Sequence, residues 1–266
     1  MKPLYLERVG LFGPGLVGWE NSLPQLRGQR PFVLAPPPRY KPAMLPANER
    51  RRATNSVRIT FGACEDAIGD RMDDAQNLAA VFASSGGDYG VHDQICRELL
   101  RDSIGVSPTQ FHNSVHNAAG GYWSIASHST QPSISLSAFD FSVAEGCLEA
   151  FTIVQAEQLP TLLVFSDCEV VGPVHQRRPI DWPFACAWWL TAQPGKRTMA
   201  VLSLSLIGGS PPSVACSNLE METLRRNNPA AQVLPLLEAL ARKENGVFHF
   251  PTAGGQSVSL QMECVV

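Results

Sequence analysis

Cysteine and histidine are the side chains most able to bind a metal or act as a nucleophile, and this sequence scatters both. Seven cysteines stand at positions 64, 96, 147, 168, 186, 216 and 264, with no pair at CxxC spacing. His112, His116 and His128 lie close together, but no carboxylate accompanies them at metal-ligand spacing. The pattern predicts no metal site and no cofactor, and it indicates free thiols in a reducing cytosol.

Two other segments contain residue types that recognise anions. The glycine-rich sequence SSGGD at residues 84–88 follows a short apolar run, but it matches neither the Walker pattern nor GxGxxG. We therefore interpret it as a tight turn rather than a phosphate site. Arg50, Arg51 and Arg52 form a basic run, which is either a solvated approach to a helix or a docking point for an acidic protein.

The overall composition is that of an ordinary globular protein, with 44% hydrophobic and 17% charged residues among 266. A net charge of −3 provides no basic field, so we predict no nucleic-acid partner. No apolar stretch is long enough to span a membrane, and the first residues lack the apolar run of a signal peptide. We expect a cytoplasmic protein.

The elements that must position these residues alternate between strands and helices. Strands are predicted near residues 4–12, 78–83, 133–138 and 161–166, and helices near 57–68, 91–99, 112–127 and 143–154. Alternation of this kind is typical of βαβ units. We predict an α/β fold with a mixed, largely parallel five-stranded sheet flanked by helices.

The rest of the chain indicates one domain over residues 1–266. Residues 24–48 are rich in proline and predict an irregular excursion over the surface. Later segments predict a strand near 199–206, a helix near 230–243 and strands near 246–250 and 257–265. In the last of these, apolar and polar residues alternate, so one face is buried.

The most informative pattern lies in residues 107–138. It contains SPTQF at 107–111, HNAAGG at 116–121 and QPSISLSA at 131–138. These motifs resemble the N-terminal half of β-ketoacyl-acyl carrier protein synthases, where the last motif leads to the nucleophilic cysteine. The opening VGLFGPGL at 9–16 resembles a short chain-length-factor-like subfamily that occurs beside complete synthases in aryl polyene biosynthesis. The resemblance implies a thiolase-like fold, truncated to mainly its N-terminal half.

The resemblance also locates the nucleophile position. Counting without gaps from Pro132 places Asp140 there, flanked by Phe139 and Phe141. A carboxylate is a poor substitute for a thiolate, which the N-terminus of a helix would stabilise. Cys147 lies about two turns further on, and we interpret it as a core thiol.

The histidines that condensation requires are also missing. His175 and His249 are the only histidines after the nucleophile position, and neither lies in the family's His-Gly-Thr or Asn-His context. We therefore predict no catalytic residue and no condensation by this chain alone.

An interface role is what the resemblance implies instead. In the family, the strand matching residues 133–138 pairs with a partner subunit, and the segment matching 108–117 lines the partner's acyl pocket. Gln110 and Phe111 fall at the tip of that segment, where a bulky side chain would stop chain growth by overlap. The expected tunnel and interface residues are Gln110, Phe111, Asn113, His116, Asn117, Ile134, Leu136 and Ala138.

The leading hypothesis is a non-catalytic subunit that forms a heterodimer with a full-length ketosynthase and shapes its acyl tunnel in polyene or fatty-acyl elongation. Acyl carrier protein would be a transient partner that docks at Arg50, Arg51 and Arg52. One alternative is a decarboxylase or acyltransferase that uses Asp140 or a neighbour. Another is a homodimeric module that binds an acyl or aromatic ligand.

Overall fold

Apolar runs bounded by turns become the strands of one mixed sheet. In the computed structural model, which describes residues 2–101 and 105–265, nine strands form this sheet. Residues 1, 102–104 and 266 of the predicted domain lie outside the described residues. The strands are β1 (Leu4–Gly13), β2 (Leu16–Val17), β3 (Ala79–Ala83), β4 (Ser133–Leu136), β5 (Thr161–Asp167), β6 (Phe184–Thr191), β7 (Ala200–Gly208), β8 (Gly246–Pro251) and β9 (Gln256–Cys264).

The helices that connect these strands are mostly short. They are α1 (Trp19–Leu26), α2 (Ala47–Arg52), α3 (Asn55–Ile68), α4 (Tyr89–Leu99), α5 (Pro108–Asn113), α6 (Ala118–Ser127), α7 (Ser142–Glu157), α8 (Leu219–Asn227) and α9 (Leu234–Arg242). Short 3-10 helices lie at Met72–Asn77, Phe139–Phe141, Gly172–Gln176 and Pro229–Val233. None of the described helices is long and apolar enough to cross a membrane.

The prediction of five largely parallel strands is wrong in number and in direction. The strand order is β4-β3-β5-β6-β1-β7-β9-β8, with β2 beside β1. The only parallel pairings between described strands are β3 with β4 and β3 with β5, and every other pairing is antiparallel. A next strand that ran parallel to β5 would need a long crossover connection, usually a helix. The described link from β5 to β6 has only a short 3-10 helix, and β6 returns antiparallel.

Helices cover both faces of the sheet because the central strands are apolar on both sides. In β5, Leu163 and Phe165 face one hydrophobic cluster, which α7 and α9 join, while Leu162 and Val164 face another, which α3 and α6 join. Helix α3 lies close to β1 at Gly10, where an added Cβ would be 1.9 Å from the carbonyl oxygen of Ala63. The two layers hold the ends of β3, β4 and β5 in fixed positions.

The proline-rich segment follows α1, which already includes Pro24. Residues 27–46 form no helix or strand, so the irregular stretch is shorter than the predicted 24–48. It is nevertheless held against the core, since Phe32 and Leu45 are buried.

Candidate functional site

The carboxyl ends of the three parallel strands meet at one edge of the sheet, where ligands bind in many α/β proteins. The turn at residues 84–88 follows β3, residues 137–142 follow β4 and lead into α7, and Asp167 ends β5. We call residues 137–142 the elbow. The Ser137 hydroxyl donates a hydrogen bond to the carbonyl oxygen of Ser85 at 2.9 Å, which joins the elbow to the turn.

The turn after β3 is filled by a carboxylate of the chain itself. One oxygen of Asp167 accepts hydrogen bonds from the Ser84 hydroxyl at 3.0 Å and from the Ser85 hydroxyl and backbone N–H, both at 2.7 Å. Asp167 is buried, which raises its pKa to about 6. At Gly86 an added Cβ would lie 2.0 Å from the Tyr89 hydroxyl. The structure agrees with a tight turn, because a phosphate here would meet a carboxylate.

The elbow contains an ion pair at Asp140, the residue that the motif count predicts at the nucleophile position. Asp140 lies just before α7, and Arg178 donates from Nη2 to its Oδ1 at 2.8 Å. The Arg178 side chain is 9% exposed, against 51% for Asp140. The guanidinium carbon of Arg178 also lies 3.8 Å from the centre of the Phe139 ring. The Asp140 carboxylate is therefore already engaged.

The backbone of the elbow is held in an unusual conformation. Phe139 has φ of 55°, in the left-handed region that a bulky residue rarely adopts. The Ser142 hydroxyl supports it by donating to the carbonyl oxygen of Phe139 at 2.7 Å and accepting from the N–H of Ala138 at 3.0 Å. Such conformations persist only where the surroundings hold them, which Ser142 and Arg178 do here.

The described lining of the cavity beside the elbow contains no cysteine, serine or histidine. The cavity has a volume of about 330 Å³ and is lined by Asp140, Arg178, Pro179, Ile180, Arg225, Arg226, Asn227, Pro229 and Gln232. Cys147 is fully buried, which raises the pKa of its thiol, and His175 is hydrogen bonded to Asp181 at 2.7 Å. His249 lies on β8. In the described chain, no group of three or more His, Cys, Asp or Glu side chains could hold a metal ion.

The segment expected to enter the partner's tunnel divides into exposed and internal residues. Phe111 is 70% exposed, and His116 and Asn117 are exposed at the start of α6. Gln110 is instead turned back, since its Oε1 accepts from the N–H of Ser107 at 3.1 Å in a capping box. Phe111 is therefore the tip residue whose side chain projects into solvent.

Asn113 also differs from the expectation of a tunnel surface. It is 2% exposed, and its Nδ2 donates to the carbonyl oxygen of Arg52 at 3.1 Å. This bond joins the end of α5 to the end of α2, so the Asn113 side chain stabilises contacts within this chain.

Strand β4 is an edge strand of the sheet. The carbonyl oxygens of Pro132 and Leu136 accept hydrogen bonds from the N–H groups of Ala80 in β3 and of Ser84 just after it, at 2.9 and 3.2 Å. Because neighbouring residues of a strand point their backbone groups in opposite directions, those of Ser133 and Ser135 face outward. No strand of the described residues pairs there. Ile134, Leu136 and Ala138 are half-buried.

The arginines of α2 fall into two kinds. Arg52 forms an ion pair with Glu49 at 3.4 Å, whereas Arg50 and Arg51 line a basic cavity. Sequence reasoning missed Arg178 and Asp167. Arg178 is 38 residues from Asp140 and gives no local signal.

A comparison of sequences agrees with the motifs. The profile of the family described as "Beta-ketoacyl synthase, N-terminal domain" matches residues 25–252. Among curated proteins, none matches the sequence significantly. The family resemblance predicted from residues 107–138 is confirmed.

Several solved structures share the fold. A complex of a ketosynthase with its chain length factor from Xenorhabdus doucetiae is similar with a TM-score of 0.71 and 23% identity, over 98% of this chain and 100% of that chain. A β-ketoacyl synthase from Burkholderia phymatum STM815 gives 0.73 and 13%, over 100% of both chains. The ishigamide ketosynthase/chain length factor gives 0.74 and 10%, again over 100% of both. The predicted α/β, thiolase-like fold is therefore confirmed.

Proposed function

The chain belongs to the family of β-ketoacyl synthase N-terminal domains, and on that premise we propose that it is a non-catalytic, chain-length-factor-like subunit. The observation that carries the proposal is the ion pair between Asp140 and Arg178, since Asp140 is the residue predicted at the nucleophile position. A carboxylate that a guanidinium already binds is not free to attack a thioester, and it holds an acyl group less well than a thiolate would.

A full-length ketosynthase is the proposed partner. The outward backbone groups of β4 would pair with the matching strand of the ketosynthase across a two-fold axis. An unpaired edge strand otherwise invites uncontrolled pairing with other chains. Formation of the heterodimer would therefore satisfy hydrogen-bonding groups that the described chain leaves open.

The proposed role is to set product length. In the heterodimer, Phe111 would enter the acyl tunnel of the ketosynthase and act as its floor. Overlap between a growing chain and a fixed aromatic ring costs a few kcal/mol, which is enough to stop elongation. The substrates would be polyene or fatty-acyl chains carried on acyl carrier protein, which would dock transiently near Arg50, Arg51 and Arg52 in the cytoplasm.

A condensation assay with malonyl- and acyl-carrier protein tests the proposal. The isolated chain should give no turnover, the ketosynthase alone should give little, and the mixture should give products of defined length. The Asp140→Asn variant should leave the activity of the mixture unchanged, as should the matched surface control Asp181→Asn. Turnover by the isolated chain that Asp140→Asn abolishes and Asp181→Asn preserves would establish the decarboxylase or acyltransferase alternative.

A further inference from the structure

A groove between the proline-rich segment and the start of α3 concentrates positive charge. It has a volume of about 610 Å³ and is lined by Arg39, Tyr40, Lys41, Ala47, Arg50, Arg51 and Arg58. Five of these seven residues are cationic and none is acidic. We call this cavity the basic groove.

The cations of the basic groove have no carboxylate partners. Arg39, Lys41, Arg50, Arg51 and Arg58 take part in no ion pair of the described chain, although their neighbour Arg52 does. The Nε–H of Arg50 is buried and has no hydrogen-bond partner among the described residues. Like charges that face one cavity repel each other, so the groove stores a repulsion that a bound anion would relieve.

Arg58 is the innermost of these cations. It is 7% exposed, and its guanidinium donates to the backbone carbonyl oxygens of Ala53 at 3.1 Å, Tyr40 at 3.2 Å and Arg50 at 2.5 Å. Burial, together with Arg39 and Arg50, lowers the pKa of Arg58. A buried charge without a counter-charge is costly, and an anion within the cavity would offset that cost.

The rim of the groove is held in place before any ligand arrives. The Tyr40 hydroxyl donates to Glu65 at 2.7 Å, and its ring lies edge-on to Phe12 with ring centres 5.1 Å apart. Glu65 also accepts from the N–H groups of Ala43 and Met44, at 3.0 and 2.9 Å. These contacts fix the chain at Tyr40 and at residues 43 and 44, close to Arg39 and Lys41, so less loop ordering remains to oppose binding.

We propose that the basic groove binds a small phosphate ester. Guanidinium groups match the oxygens of phosphate with paired hydrogen bonds, and the cavity has the size of a small-molecule site. A compact polyanion can approach the buried Arg58, whereas the carboxylates of a protein helix would meet only the exposed rim residues. This site is separate from the elbow and from the edge of β4, and it does not require the ketosynthase partner. It shares Arg50 and Arg51 with the surface at which acyl carrier protein is proposed to dock, so the phosphate ester and the carrier protein would compete there.

Titration calorimetry of the isolated full chain with inorganic pyrophosphate tests the site. We expect saturable binding with a dissociation constant below about 1 mM. The double variant Arg39→Gln/Lys41→Gln, at two exposed positions, should weaken binding at least about tenfold, since it removes two of the five cations. The Arg177→Gln variant is the matched control, because Arg177 is exposed outside the groove, and it should bind as the wild type does.

Three results would overturn the proposal. One is the absence of saturable binding by the wild-type chain. Another is an equal loss of binding in Arg177→Gln and in the double variant, which would indicate a general charge effect. The third is tighter binding of a glutamate-rich peptide than of pyrophosphate, which would make the groove a docking surface for an acidic protein. Circular dichroism of each variant establishes that it is folded.

Discussion

The elbow and the outer edge of β4 adjoin in sequence but differ in how far the chain satisfies their polar groups. At the elbow, Arg178 binds Asp140 and covers Phe139, and Ser142 bonds the backbone. At the edge, the backbone groups of Ser133 and Ser135 face outward without a strand partner among the described residues. The chain's own side chains therefore satisfy the elbow, whereas the outer edge of β4 keeps backbone groups without a strand partner among the described residues, as the proposed function expects.

The basic groove resembles the edge of β4, because it too contains polar groups without a partner among the described residues. Its cations lack carboxylate partners in the described chain, while the neighbouring Arg52 is paired with Glu49. Charges and hydrogen-bonding groups that a chain leaves unsatisfied cost free energy, so they indicate a ligand or a partner.

Ser135→Pro should have the largest effect, because it acts on the open edge. It removes one outward N–H and places a ring against the incoming strand, while the bonds of β4 to β3 remain. We expect affinity for the ketosynthase to fall by at least about tenfold, since one lost hydrogen bond and a clash together exceed 1.4 kcal/mol. Ser135→Ala keeps the N–H and serves as the control. Equal affinity of the Pro and Ala variants, measured by biolayer interferometry, would contradict pairing through β4.

Phe111→Ala tests whether this exposed side chain shapes the tunnel of the partner. Removing the ring should let the products of the reconstituted pair lengthen by at least one extension step, because the overlap that stops growth is lost. Mass spectrometry of the released acyl chains measures this. Leu100→Ala is the control, since Leu100 is also an exposed apolar residue, at 88% exposure. Identical product lengths from the two variants would show that Phe111 does not limit the length of the tunnel.

The buried carboxylate of Asp167, which binds the turn next to the elbow, should make the stability of the chain depend on pH. The folded-state pKa of Asp167 is raised from 3.8 to about 6 by burial, so the folded chain binds this proton more tightly than the unfolded chain. Its stabilising contribution is full below about pH 4 and is lost as the pH rises through about 6, a decrease of about 2–3 kcal/mol.

Urea unfolding of wild type and Asp167→Asn over this range measures the effect. The wild type should lose more free energy of unfolding with rising pH than the variant, since asparagine does not titrate. Asp73→Asn, at an exposed position, should retain the wild-type slope. Equal slopes for wild type and Asp167→Asn would show that Asp167 does not titrate in this range.

Arg178→Gln should have the smallest effect, and it tests the closure of the elbow itself. It leaves Asp140 without its partner and removes the cation from the Phe139 ring. We expect a loss of about 1–2 kcal/mol in the free energy of unfolding, because Asp140 is half exposed and water can solvate it. The ketosynthase pair should keep its activity. Arg177→Gln is the control, because Arg177 is exposed and forms no ion pair in the described chain. An equal loss of unfolding free energy in both variants would show that the pair of Arg178 with Asp140 adds nothing specific to stability.

Local patterns in the sequence predicted the elements around the site. The apolar run before SSGGD became β3, and the turn formed with Asp88 as the cap of α4. The motif at 131–138 became β4, and the apolar face through Cys147 became α7. Strands, turns and helix caps of this kind are determined by residues close together in the sequence, so they could be predicted from one sequence alone.

Features that depend on distant residues were not predictable in this way. Strand β6 was missed because it is buried on both faces and shows no alternation, and its omission made the sheet seem parallel. The pair of Asp140 with Arg178 joins residues far apart in sequence. The internal role of Gln110 did have a signal, since Ser107 followed three residues later by Gln110 is a capping box.

The most direct test of the partner-subunit account is native mass spectrometry after co-expression with a full-length ketosynthase of the same organism. The account predicts a one-to-one heterodimer that contains one copy of each chain. A homodimer of this chain that excludes the ketosynthase would contradict it and favour the homodimeric acyl-binding alternative.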